Sequence, residues 1–356
     1  METKVSNNFG FLRLLFATLV ILSHSPELLD GNRSREILTV VFGPLTFGAI
    51  AVDGFFLISG YLLVQSFENS TLQDYVIKRV LRIYPGFVAA YLVCIFAFGP
   101  YSGGNPWLLG PSDWMAMLGR IIMLSPPHLD GAFAQLPEPQ LNGSVWTIRY
   151  EFFCYGLVAA LGLLSLLGRR VLMVGLATTL LLAMSALRAK LPIFGQYWVE
   201  HPSLIHFTAL FCCGSAYYRL RDRIPYHPAL AAVAAVLLAA LMYNFVFSEM
   251  AFAIFGGYLI FWFALHVPTK YLSRIGLRTD ISYGVYLYAW PIQNSIIYRY
   301  PDISPWLLFI ISAALSVVCG FISWTLVEKR MIALKHRFPL RIGRPQSLDG
   351  ERSSAE

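Results

Sequence analysis

Thr46-Phe-Gly-Ala-Ile-Ala-Val-Asp-Gly-Phe-Phe-Leu-Ile-Ser-Gly-Tyr-Leu-Leu-Val-Gln-Ser-Phe67 is the stretch that decides the fold. It carries one ionisable residue, Asp53, and is long enough to cross a ~30 Å hydrocarbon core, which takes about 20 helical residues. Its apolar residues run continuously, without the period-two alternation of a membrane β-barrel strand, so it reads as a transmembrane helix. Blocks of the same kind recur at 9–27, 84–100, 145–166, 170–188, 202–220, 228–246, 250–267, 281–299 and 305–328. Tryptophan and tyrosine gather near many of their ends, as rings that favour the headgroup zone do. With 57% hydrophobic and only 13% charged residues, the chain lacks the charge a soluble protein of 356 residues needs at its surface. The fold class is all-α, a polytopic membrane protein of about ten transmembrane helices.

The basic residues orient it. Nineteen of the 27 lysines and arginines fall on the termini and even-numbered connections and six on the opposite side, with Arg13 and Arg149 inside apolar blocks. The imbalance puts both termini in the cytoplasm. The net charge of +7 is then an inner-face bias and calls for no nucleic-acid partner. Arg13 and the proline-containing stretch after Ser23 argue against a cleaved signal peptide. Residues 1–334 form the membrane domain, and 335–356 a basic, then polar, cytoplasmic tail expected to be disordered. The connection 101–144 is the longest and contains an amphipathic segment near Trp114–Leu124 suited to the membrane surface. All five cysteines lie in apolar blocks without a CxxC pair, so packing is their expected role and no metal site is indicated. No phosphate loop, GxGxxG, HExxH or GxSxG pattern occurs.

Ionisable side chains inside apolar spans face a cavity or a partner. Arg13 and His24 lie eleven residues apart, close to three turns, so they share a face of the first span with ~16 Å between them. His24, Asp53 on the second span and Glu151 on the fourth are expected in the same outer half, Arg149 beside them. A carboxylate next to an imidazole holds its tautomer and basicity for general-base work. On the cytoplasmic side Lys78, Arg79 and Arg82 cluster where phosphates can be held. The same residue types serve proton relays, so this pattern leaves catalysis and a proton-coupled transporter or permease of a lipid-linked saccharide both open.

The ordered motifs resemble the acyltransferase type 3 family over residues 7–332. They are Asn8-Phe-Gly-Phe-Leu-Arg13 with the Arg13–His24 spacing, Val52–Leu62, Lys78-Arg-Val-Leu-Arg-Ile-Tyr-Pro85, Asn142-Gly-Ser-Val-Trp-Thr-Ile-Arg-Tyr-Glu-Phe-Phe153, Ile281-Ser-Tyr-Gly-Val-Tyr-Leu287 and Val327-Glu-Lys-Arg330. The resemblance implies a bacterial inner-membrane enzyme. It would transfer an acyl group, most often acetyl, from acyl-coenzyme A to a hydroxyl of an extracytoplasmic glycan or lipid-linked sugar. It makes His24 the catalytic base and Arg13 its essential partner, with Glu151 in the site. Lys78, Arg79 and Arg82 would bind the donor, and Asp53 is expected to share with Glu151 the task of orienting His24. Asn142, Ser144, Trp146, Arg149, Tyr283 and Tyr286 are the expected substrate contacts. One departure stands out: Ala289 in Tyr288-Ala-Trp-Pro291 occupies a position that is histidine in many members, so roles resting on that histidine do not transfer.

Overall fold

A computed structural model describes residues 7–191 and 202–334. The expected tail from 335 lies outside the described residues. All regular structure among the described residues is helical. The long elements are α1 (Phe9–Asp30), α2 (Phe47–Glu68), α3 (Leu72–Tyr101), α4 (Pro111–Ile122), α5 (Ile148–Leu163), α6 (Arg170–Arg188), α7 (Ser203–Leu220), α8 (Pro228–Leu241), α9 (Ser248–His266), α10 (Ser282–Arg299) and α11 (Pro305–Ala333). A helix stands at each of the ten expected positions. By length and composition six of them, α1, α2, α3, α6, α9 and α11, are long and apolar enough to cross a membrane. Large apolar side chains such as Val236, Ile310, Val318 and Phe321 remain exposed on α8 and α11, as a lipid-facing surface requires.

Local chemistry sets the helix limits. Thr46, Thr71 and Ser304 cap α2, α3 and α11 by accepting from the backbone N–H three residues on. The start of α1 is tied instead to the end of α9, because the Asn8 side chain donates to the carbonyls of Phe263 (2.8 Å) and Val267 (2.9 Å). The other end of α1 runs through Pro26 to Asp30, past the expected limit at 27, and stops at Gly31, whose φ of 74° only glycine adopts freely. The third helix begins at Leu72, twelve residues before the expected 84, so Lys78, Arg79 and Arg82 sit on the helix itself. The amphipathic segment near Trp114–Leu124 is α4, none of whose side chains is buried.

Two helix pairs approach at glycines. A Cβ on Gly60 of α2 would lie 2.0 Å from the Phe211 carbonyl oxygen, and one on Gly214 of α7 2.0 Å from that of Leu57. Gly284 of α10 and Gly320 of α11 meet in the same way, 2.7 Å separating a Gly284 Cβ from the Gly320 Cα. Within lipid, where burial of apolar surface no longer drives helices together, such close backbone packing supplies the attraction.

The segment leading into α5 is not foreseen from the sequence. Residues 136–143 run alongside α10 without regular structure, a 3-10 turn at Ser144–Thr147 leads into α5, and side chains of α10 meet much of the segment's backbone polarity. Asn294 Nδ2 donates to the carbonyls of Glu138 (3.1 Å) and Gln140 (3.0 Å), and Trp290 Nε1 to that of Gln140 (3.1 Å). Asn142 Nδ2 donates to Leu287 O at 2.7 Å, and the Tyr286 hydroxyl to Ser144 O. Irregular backbone at such depth is tolerated because protein groups replace the missing water. Gly143 is required here, since any Cβ would lie 2.5 Å from the Trp290 ring.

Gly214→Val should destabilise the bundle beyond the ~1–3 kcal/mol of ordinary overpacking, because the clash is with backbone. The check is the fraction of monodisperse protein and its Tm after detergent extraction. Gly175→Val, where a Cβ meets nothing within 4 Å, should leave both unchanged.

Candidate active site

Arg13, Val20, His24 and Glu27 recur at helical spacing and form one face of α1. That face opens into two cavities. The larger, about 450 Å³, is lined by His24, Glu27, Asp53, Trp146, His206 and Glu249 among others. The smaller, about 140 Å³, is lined by Arg13, Ser59, Arg79, Arg82, Glu151 and Tyr155 among others. Val52, Thr147 and Tyr286 line both, so the cavities abut at a neck. Thr147 Oγ1 and the Tyr286 hydroxyl are hydrogen-bonded across it at 2.8 Å.

The carboxylate beside His24 is neither Asp53 nor Glu151. His24 Nδ1 lies 3.0 Å from Glu27 Oε2, one turn on along the same helix, and the other Glu27 oxygen accepts from Arg33 Nε. The Trp290 ring packs T-shaped against the imidazole with centroids 5.0 Å apart. Glu27 therefore commits the Nδ1 side of the ring, leaving Nε2 to act on a substrate proton. The signal for Glu27 was present as an i, i+3 spacing, but ending the span at 27 put this carboxylate at a helix terminus. Pro26 does not break α1, so Glu27 stays on the His24 face.

Asp53 has a different histidine. His206 of α7 places Nε2 2.7 Å from Asp53 Oδ1 and Nδ1 3.1 Å from Glu249 Oε2, and Arg188 reaches Glu249 Oε1 at 3.3 Å. Four helices, α2, α6, α7 and α9, meet in this network on the wall of the His24 cavity. His206 and Glu249 lay at the start of apolar blocks, where a single sequence offers no spacing that joins them to Asp53.

Glu151 lies in the Arg13 cavity, not the His24 cavity. Its Oε1 accepts from the Tyr155 hydroxyl at 2.6 Å and from Ser59 Oγ at 3.2 Å. Ser59 is six residues further along α2 than Asp53, or ~9 Å. The irregular entry at 136–143, buried from Leu141 on, and the 3-10 turn at Ser144–Thr147 carry the start of α5 into the bundle, which places Glu151 beside the Arg13 cavity. Arg13 and Arg82 converge on Asp280, at 3.0 and 2.8 Å, and Arg82 also faces Glu328 at 3.7 Å. Asp280 lies in the connection before α10. Burial would raise its carboxyl, but Arg82 and Arg13, with the Ser282 hydroxyl, hold it at about 2. Arg79 has no carboxylate within ion-pair distance among the described residues; it donates to Ser66 Oγ at 3.3 Å and sits over the Tyr75 and Tyr155 rings.

The remaining expected residues divide. Ser144 and Trp146 line the His24 cavity, Tyr283 the Arg13 cavity, and Tyr286 the neck. Asn142 is buried and spent on holding the entry segment to α10. Lys78 lines neither cavity. Arg149 is exposed and lies against the Tyr150 ring, outside both, because α5 turns it away from α1.

A family model described as "Acyltransferase domain" matches residues 7–325. The chain belongs to the acyltransferase type 3 family. It is similar to a protein named "O-acetyl transferase" from Shigella phage Sf6, 27% identical over 358 residues, covering 92% of this chain and 96% of that one. It is also similar to "Nodulation protein 10" of Rhizobium leguminosarum bv. viciae, 25% identical, with 92% and 94% covered. "Acyltransferase MdmB" of Streptomyces mycarofaciens is 26% identical over a shorter stretch, 34% of this chain and 30% of that one. No solved structure matches. Membership of the family sets acyl transfer ahead of transport as the activity.

Asp280→Asn removes the one carboxylate that Arg13 and Arg82 share. Breaking a buried pair costs about 3–5 kcal/mol, so a marked fall in Tm is expected. The wild-type carboxylate, depressed in the fold, stabilises fully above its unfolded value of ~3.9 and loses that effect as the pH falls towards 2. The Tm gap between variant and wild type, measured in detergent, should therefore narrow on acidification.

Proposed function

We propose that this chain transfers an acyl group, acetyl by family habit, from acyl-coenzyme A in the cytoplasm to a hydroxyl of an extracytoplasmic glycan or lipid-linked sugar. The membrane would be a bacterial inner membrane, with both termini cytoplasmic as the loop charges indicate. The single observation that carries this reading is the pair of abutting cavities along one face of α1, Arg13 on one and His24 on the other.

The donor belongs on the Arg13 side. A cavity of about 140 Å³ suits the slender pantetheine arm and its thioester, leaving the nucleotide end at the mouth. Arg82 and Arg13 are already engaged by the shared Asp280 carboxylate, and Arg82 also faces Glu328, whereas Arg79 faces only hydroxyl and aromatic groups among the described residues. Arg79 is thus the guanidinium available to a phosphate, and Lys78, off the cavity, is at most a neighbour. The thioester passes the Thr147–Tyr286 neck and meets the acceptor beside His24.

Chemistry then follows from His24. Neutral Nε2 takes the proton of the acceptor hydroxyl as its oxygen bonds to the thioester carbon. Glu27 holds the ring orientation and balances the imidazolium that forms, with Arg33 fixing Glu27 in turn. The tetrahedral intermediate collapses with rupture of the C–S bond, and the imidazolium returns the proton to the departing thiolate. The products are an O-acyl glycan and free coenzyme A. Glu151, which lines the other cavity, would accept from the pantetheine amides rather than orient His24.

Two substitutions separate these roles. His24→Ala should abolish transfer from acetyl-coenzyme A to surface glycan, followed by mass spectrometry of the glycan at matched membrane expression; undiminished acetylation would remove His24 from the mechanism. Arg79→Ala should raise KM for acetyl-coenzyme A about tenfold or more with kcat nearly unchanged, the pattern of lost uniform binding. A change in kcat alone would place Arg79 elsewhere.

A further inference from the structure

The Asp53–His206–Glu249–Arg188 network lines the His24 cavity, yet the mechanism above makes no use of it. His206 has a carboxylate on each ring nitrogen, so it has no lone pair free to take a substrate proton. It serves to hold two carboxylates in place, one from α2 and one from α9. Arg188 spends Nη1 on Glu249 and Nε on the Phe245 carbonyl, while its Nη2 is enclosed without an acceptor among the described residues. A buried donor of this kind is open to a ligand or water oxygen. Trp146 lines the same cavity and is the most exposed of its aromatic residues at 38%, its ring braced by Tyr150 and Phe207. The cavity's about 450 Å³ falls within the ~300–1,000 Å³ of small-molecule sites.

Charge separates the two cavities. The carboxylates of the larger one are each matched by a cation of the same lining, Glu27 by Arg33, Asp53 by His206 and Glu249 by Arg188, so it offers coenzyme A phosphates no surplus positive charge, whereas Arg13, Arg79 and Arg82 line the smaller one. A polyhydroxylated ring has O–H groups for carboxylates, oxygens for a guanidinium N–H, and an apolar face for an indole. We infer that Asp53, Glu249 and Arg188, fixed by His206 and faced by Trp146, form the acceptor-recognition site and bind one pyranose ring with a free hydroxyl turned to His24. This rests on the acyl-transfer reading and adds to it the residues that choose the acceptor. Asp53, Glu249 and Arg188 contact the sugar; His206 is a positioning residue.

The test uses the full chain in membrane vesicles with acetyl-coenzyme A. The acceptor probes are short-chain alkyl glycosides of glucose, galactose, rhamnose and glucosamine. Wild type is expected to acetylate at least one. On that probe, Asp53→Asn and His206→Gln should each raise the acceptor KM about tenfold or more, with KM for acetyl-coenzyme A within about twofold of wild type. A purely structural network would lower expression or kcat and leave this ratio unmoved. If Asp53→Asn fails to express, Asp53→Glu keeps the charge and displaces the carboxylate by one methylene, with the same expectation. Wild-type turnover combined with an unchanged acceptor KM, or with an equal rise for the donor, overturns the recognition site and leaves acyl transfer standing. No transfer to any glycoside by wild type overturns the sugar acceptor, and both readings with it.

Discussion

A charge inside an apolar bundle must be paired, hydrogen-bonded or turned to a cavity, and much of this molecule's architecture follows from that requirement. Three networks meet it. Glu27 and Arg33 close on His24; His206 lies between Asp53 and Glu249; Asp280 joins Arg13 to Arg82. The second and third each draw together helices distant in sequence, so the ion pairs act as registers between elements whose apolar surfaces alone would leave their relative depth open. The glycine crossings at Gly60–Gly214 and Gly284–Gly320 then bring the backbones close enough for those registers to hold.

Backbone polarity imposes the same demand, and its solution shapes the site. Residues 136–143 enter the bundle without regular structure, held by Trp290, Asn294 and Asn142. The 3-10 turn that follows, Ser144–Thr147, brings a hydroxyl to the neck and leaves Trp146 half-exposed on the larger cavity. The two cavities are thereby distinguished in one apolar bundle by which charges are paired and which are not.

The relatives span nearly the whole chain at about a quarter identity. A single helix fixes both the separation and the common face of Arg13 and His24. Beside Ala289, the Trp290 ring packs T-shaped against His24, whose Nδ1 lies 3.0 Å from Glu27.

Periodicity and length by themselves determined the helical class, the positions of the long helices, the shared face of Arg13 and His24, and the placing of Arg79 and Arg82 together. These depend on one helix at a time, where 3.6 residues per turn and 1.5 Å per residue fix face and distance. Partner choice was decided only by the tertiary structure. Glu27 rather than Asp53 or Glu151 meets His24, Asp53 meets His206, Asp280 meets two arginines, Arg149 turns outward, and Glu151 drops into the other cavity. Each of these depends on how far one helix is rotated and slid against another. That is set by glycine contacts, an uninterrupted Pro26 and an unwound entry to α5, none of which leaves a period in the sequence to count.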